Sequence, residues 1–342
     1  MKIFATYTLT LITLLFVGCG KEESPVINSP EIGFGISTVD ISTRAGLTQD
    51  DIEDMRVYIY GVQNNTTTLY SAAPITKDGE TGRWFPSTIR RWVEGATYSF
   101  YGYAYSTNSG LSISGEGLTI DVTQPASYNY EAERNGTSSF IDYLLSYSFK
   151  VANGASRPLV DLQLEHAMTL VDIQIVKDPS IVGAVLTEMT LSNIFRTGTM
   201  KCTSQAIANS GERNIWSVTF NGSNDAAYSI ISPLNSGYMI TDSANTTEAR
   251  MSIMALPQQL TANTKLTIKY YVNEKLDNSD PEDNWVLHES SFKLYEYTPY
   301  VWQSGHRVVY QATIDTGIHL QGSIAEWINV DYIEGTILPD VK

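Results

Sequence analysis

Short runs in which apolar residues recur at every second position, separated by turn residues, fill most of the chain, and that period is the mark of half-buried strands. From Glu31 to Thr43, Ile32, Phe34 and Ile36 fall on one face, with Gly33 and Gly35 on the other. Arg56 to Tyr60 forms a second run, ahead of a polar Asn64-Asn65-Thr66 turn. Gly82 to Pro86 and Trp92 precede the aromatic run Thr97 to Tyr105. Segments this short at this spacing predict a β-sandwich.

A second set of runs begins near Leu159, after the polar loop 153–158. That loop is the best internal boundary, because few contacts cross such a stretch. It divides the folded part into residues 31–158 and 159–342. Beyond it Val160, Leu162, Leu164, His166, Met168 and Leu170 share one parity, and Val171, Ile173 and Ile175 the other. One extra residue flips the facing of everything downstream, so the switch at Leu170-Val171 predicts a bulge. Further strands are predicted at 215–220, 250–255, 266–272, 285–295, 307–314 and 327–333, with an acidic loop at 276–284. Thr48 to Asp54 suits one helical turn; no extended 3.6-residue period and no internal repeat is evident.

Composition supports an all-β chain. Tyrosine is abundant at 21, alongside frequent threonine and serine, a bias toward pleated, half-buried strands. The length of 342 residues suits two domains. Aspartate and glutamate total 37 against 22 lysine and arginine, a formal charge of -15. That excess argues against a nucleic-acid partner, which needs a clustered basic surface; Arg90-Arg91 is the nearest approach to one.

The N-terminus reads as an export signal. Lys2 is followed by an apolar run from Ile3 to Val17, shorter than the ~20 residues that span a bilayer. Phe16-Val17-Gly18-Cys19 resembles a bacterial lipobox, so residues 1–18 are expected to be removed and Cys19 lipidated, holding the protein at a membrane. Phe16 departs from the usual leucine at the leading position. Residues 19–30 are polar with two prolines and read as a tether, and Lys21-Glu22-Glu23 resembles the signal that sends Bacteroidota lipoproteins to the cell surface. With Cys19 lipidated, Cys202 has no intrachain disulfide partner and is expected to be a small strand residue.

The chemistry of an enzyme is missing. The histidines at 166, 288, 306 and 319 are scattered, and there is no HExxH pair, GxSxG elbow or Walker loop. His166, inside an apolar alternation, is expected to be a hydrogen-bonded core residue. Asp277, Asp280, Glu282 and Asp283 lack EF-hand spacing, and Pro281 interrupts them. No catalytic residue, cofactor or metal site is expected.

In order along the chain, the lipobox at Cys19, a strand ending in Ser42-Thr43-Arg44-Ala45, YSFYGYAYS at 98–106 and IDYLLS at 141–146 resemble one family. LQLEHAMTLVDIQIV at 162–176, VWQSGHRVVYQATI at 301–314 and Trp327 extend the match. It is the fimbrillins, or type V pilins, of Bacteroidales, in particular the Mfa-like group.

The resemblance implies two tandem transthyretin-like, Greek-key β-sandwich domains. It also implies assembly by strand exchange, in which an arginine-specific protease cuts a lipoprotein precursor after the first strand and a neighbouring subunit supplies a strand to the groove left behind. In this chain the cut falls between Arg44 and Ala45. Residues 31–44 contain the removable strand, and Ile32, Phe34 and Ile36 are the side chains that leave the groove. Ile328, Val330 and Tyr332, in a segment near 324–338, form the candidate donor. Other fimbrial subunits, the protease, the outer membrane and host or bacterial surface ligands are the expected partners, with cell adhesion as the outcome. Stalk, tip and anchor positions all remain open.

The alternative from another class is a monomeric surface lipoprotein that binds glycans or host ligands on exposed Trp84, Trp92 or Trp302. Asp242-Ser243-Ala244 looks like a Bacteroides O-glycosylation site at Ser243.

Overall fold

The computed structural model describes residues 31–38, 57–105, 111–114, 117–130, 140–151, 159–202, 217–223, 226–231, 237–242, 250–273, 285–297, 300–315 and 317–326. Among them the chain is all-β, apart from a 3-10 turn at Leu294–Glu296 and a helical residue at Tyr130. Its first strands are β1 (Phe34–Thr38), β2 (Val57–Gln63), β3 (Thr67–Lys77), β4 (Trp84–Pro86), β5 (Thr97–Tyr105), β6 (Leu111–Ser114) and β7 (Gly117–Thr123). There follow β8 (Tyr143–Val151), β9 (Val160–His166), β10 (Thr169–Lys177), β11 (Gly183–Ile194), β12 (Thr197–Cys202), β13 (Ser217–Phe220), β14 (Ala226–Ile231) and β15 (Tyr238–Ile240). The last are β16 (Arg250–Ala255), β17 (Gln258–Gln259), β18 (Lys265–Asn273), β19 (Trp285–Lys293), β20 (Val301–Trp302), β21 (His306–Ile314) and β22 (Ile318–Glu326).

Seven strands close into one barrel in the order β1-β4-β3-β2-β5-β8-β9, with β9 returning to β1. Its interior is aromatic: Phe34, Tyr70, Trp84, Trp92, Tyr98 and Phe100 share one buried cluster. Alternation puts them there, since β5 sends Tyr98, Phe100 and Ala104 inward. The remaining strands form chiefly two sheets, β16-β10-β21-β22 and β14-β11-β18-β19, with β15 beside β11. Ile173 and Tyr310 from the first sheet and Leu186 and Ile268 from the second lie in a common core, so the two sheets face each other.

The polar loop 153–158 does not separate the pairing on its two sides. β9 hydrogen-bonds to β1 and β8 of the barrel, although it follows that loop. Conversely β6 and β7, from the earlier part, join β12 and β13 in a sheet of order β13-β12-β7-β6.

The bulge expected at Leu170-Val171 is absent. β10 keeps unbroken register with both β16 and β21. The parity changes because β9 ends at His166, and after Ala167 and Met168 the chain enters another sheet as β10. β9 buries alternate residues, whereas β10 is buried on both faces from Thr169 to Val176 and so loses the alternation.

Candidate strand-exchange groove

β1 occupies the barrel as a plug. It runs parallel to β9 over five residue pairs, from Phe34 opposite Val160 to Thr38 opposite Leu164. Its pairing to β4, on the other side, is confined to Phe34 opposite Trp84. Backbone bonds extend the seat beyond the strand: Val160 N–H donates to the Gly33 carbonyl at 3.0 Å, and Ile32 N–H to the Arg90 carbonyl at 2.9 Å. Arg91 and Glu31 form an ion pair at 3.0 Å.

The side chains hold β1 more firmly than its few hydrogen bonds. Ile32 and Phe34 are both 0 % exposed. The Phe34 ring meets Phe100 and Tyr70 edge-on at centroid distances of 5.4 and 6.0 Å. Ile36 is half-buried at the margin of the same cluster. Full burial of one such side chain is worth about 1.5–3 kcal/mol, so Ile32 and Phe34 carry much of the strand's attachment. Below Phe34, burial pushes the Tyr70 phenol up to about 12, against the opposing pull of the Arg90 backbone and charge.

The opposite face of β1 explains its glycines. A Cβ on Gly35 would lie 2.8 Å from Leu159 Cδ2 and 3.0 Å from Asp161 Oδ1, and one on Gly33 would lie 3.1 Å from the Phe85 ring. The strand therefore presents apolar knobs inward and bare backbone outward. Of the residues singled out in sequence, Ile32, Phe34 and Ile36 come together here. Cys19, Arg44, Ala45, Ser243, Ile328, Val330 and Tyr332 lie outside the described residues, as do the acidic loop, the proposed helical turn at 48–54 and the predicted strand 327–333. Cys202 ends β12 opposite Leu118, which places its backbone in a strand.

The tryptophans considered as ligand platforms are core residues. Trp84, Trp92 and Trp302 are 5, 2 and 1 % exposed. Trp92 packs edge-on against Tyr98 and Phe100, and Trp302 Nε1–H donates to the Tyr310 hydroxyl at 3.0 Å. No face of these rings is open for stacking. His166 is the buried histidine its setting predicts, with Nδ1 2.5 Å from Asp142 Oδ2. Among the described residues no group of three His, Cys, Asp or Glu side chains is placed to hold a metal ion.

A buried charge cluster was not foreseen. Asp172 of β10 accepts hydrogen bonds from both Nε and Nη2 of Arg250 on β16, from Ser252 Oγ at 2.8 Å, from Arg307 Nη2 on β21 at 2.7 Å and from Gln174 Nε2 at 3.0 Å. Burial alone would raise its pKa, but the two guanidiniums outweigh that and hold the carboxyl well below the usual carboxylate range. A lone aspartate between Val171 and Ile173 in an apolar run was the available signal; its arginine partners are far off in sequence. The cluster ties three strands together and offers no open site.

Solved structures share this architecture. A fimbrial protein from Bacteroides vulgatus aligns at 13 % identity with a TM-score of 0.53, covering 87 % of this chain and 100 % of that one. A candidate cell adhesion protein from Bacteroides uniformis aligns at 13 % identity with a TM-score of 0.52, over 87 % and 99 % of the two chains. At such identity they establish a shared all-β fold. No curated protein matches the sequence. The fimbrillin-like family model matches residues 43–327, and the chain belongs to that family. Membership places it among fimbrial proteins of the cell surface.

Proposed function

We propose that the chain is a structural fimbrial subunit, without catalytic activity, that polymerises by strand exchange and mediates cell adhesion. In this reading Cys19 is lipidated, the precursor reaches the outer membrane, and a protease cuts between Arg44 and Ala45. β1 then leaves, and the segment around Ile328, Val330 and Tyr332 of the next subunit takes its place. The body of the protein comprises two tandem transthyretin-like domains.

The observation that carries the reading is the seat of β1. Its loss would open a closed barrel, leave the β9 edge unpaired and expose the aromatic pocket filled by Phe34. An unpaired edge beside an apolar groove is costly to leave in water and is what an incoming strand repairs. Backbone bonds supply the affinity in such additions, and alternate side chains in pockets fix the register. Since β1 pairs with β4 at one position only, few backbone bonds oppose its departure on that side.

Treating the purified precursor, without residues 1–18, with an arginine-specific protease tests the proposal. The expected result is a new N-terminus at Ala45 together with an SDS-stable ladder. A chain cut at Ala45 that stays monomeric would contradict assembly by strand exchange.

A further inference from the structure

The segment between β4 and Trp92 stands out because it is exposed, basic and tied to the residues that lead into β1. Ser87, Thr88, Ile89, Arg90 and Arg91 are five consecutive exposed residues outside any regular strand. Each end is fixed: Pro86 pairs with Ile75 of β3, and Trp92 is buried in the barrel core. Between those anchors the residues that lead into β1 hold the segment through the Ile32 N–H to Arg90 carbonyl bond and the Glu31–Arg91 pair and bridge, while Tyr70 of β3 interacts with the Arg90 backbone.

We propose that the Arg90–Arg91 peptide bond is a second proteolytic site, latent while a strand fills the groove and open to an arginine-directed endopeptidase once the groove is empty. A protease binds its substrate as an extended segment, so folded chain is cut through the population that has lifted away locally. With β1 seated, lifting Arg90 breaks the bond to Ile32 and strips Arg91 of Glu31. With β1 gone neither restraint exists, and the cost of opening falls. Cleavage adds water across the Arg90–Arg91 amide, leaving a carboxylate on Arg90 and an amino group on Arg91.

The site makes groove occupancy readable by a protease. A subunit whose groove is refilled keeps the segment pinned, and one that has lost β1 without finding a neighbour is nicked between β4 and β5. This deepens the strand-exchange reading and rests on it for the event that empties the groove.

The test uses the full chain carrying Arg44→Gln, so that the arginine-specific endopeptidase cannot itself empty the groove, and follows products by intact mass. Gly35→Leu unseats β1 by overpacking against Leu159 and Asp161, and Phe34→Ala is the second variant should the first not fold. Loss of the restraint from β1 is expected to raise the rate of appearance of the fragment beginning at Arg91 about tenfold in either variant. An excess of a peptide of residues 31–38 should bring the rate back, and a R90Q/R91Q chain should give no such fragment. Equal rates in the R44Q parent and in the variants built on it, or no response to the peptide, would overturn the proposal. The chain with Arg44 intact is scored separately for the fragment beginning at Ala45: its absence speaks against processing after Arg44, whereas equal Arg91 rates among the R44Q chains overturn the latent site alone.

Discussion

β1 has five residues and β22 has nine, yet the shorter strand is the more deeply held. β1 closes a barrel and sends Phe34 to the centre of an aromatic core, with Ile32 just before it. β22 is the edge of a four-stranded sheet, paired to β21 over nine residues, with Leu320 buried and Ile324 54 % exposed. One strand is fixed by side chains in a pocket and the other by a ladder of backbone bonds. The difference teaches what an exchangeable strand needs: a vacancy shaped by side chains, which a foreign strand can fill in one register, rather than a long edge that accepts many. The sheet carrying β22 is braced by charge instead, through Asp172 and its two arginines on β10, β16 and β21.

Substitutions sharpen this contrast. Phe34→Ala empties the pocket and is expected to cost about 3–5 kcal/mol in urea unfolding, as large-to-small changes of a buried aromatic do. Asp172→Asn leaves two guanidiniums without their carboxylate and is expected to cost a similar amount, about 3–5 kcal/mol, but in the other sheet. The pH dependence has a definite sign there. Because the folded-state pKa of Asp172 lies below its usual value of 3.8, its contribution is complete above that value and is lost only as pH falls through the lower folded one. The stabilities of wild type and D172N should therefore converge at low pH and show their full, constant difference above about pH 3.8. Gly35→Leu should cost about 1–3 kcal/mol, from crowding against Leu159. Ile324→Ser on β22 should change the melting midpoint least, by about 0.5 kcal/mol or less in stability terms. A large effect of Ile324→Ser alongside a small one of Phe34→Ala would reverse the contrast.

Local period made β1 legible in the sequence. Ile32, Phe34 and Ile36 alternate with two glycines and the inward face follows from that pattern, whereas the close approach of Leu159 and Phe85 to the glycines does not. β18 and β21 were legible for the same reason, since burial alternates along both. β22 was missed although Ile318, Leu320 and Ile324 fall on alternate positions, because Gly322 interrupts that apolar face. The change of parity near Leu170 was visible, but a change of sheet and a bulge leave the same mark in sequence. Pairing between β7 and β12, and the meeting of Asp172 with Arg250 and Arg307, depend on residues brought together from distant parts of the chain, which no local pattern records.

The central claim is that the groove vacated by β1 is where the next subunit docks. Polymerisation of the arginine-protease-treated chain in the presence of excess peptide of residues 31–38 measures this most directly. If the claim holds, the peptide refills the barrel and the SDS-stable ladder disappears in proportion to peptide added, while a peptide with alanine in place of Phe34 blocks weakly. A ladder undiminished by the native peptide at saturating concentration would show that subunits join elsewhere.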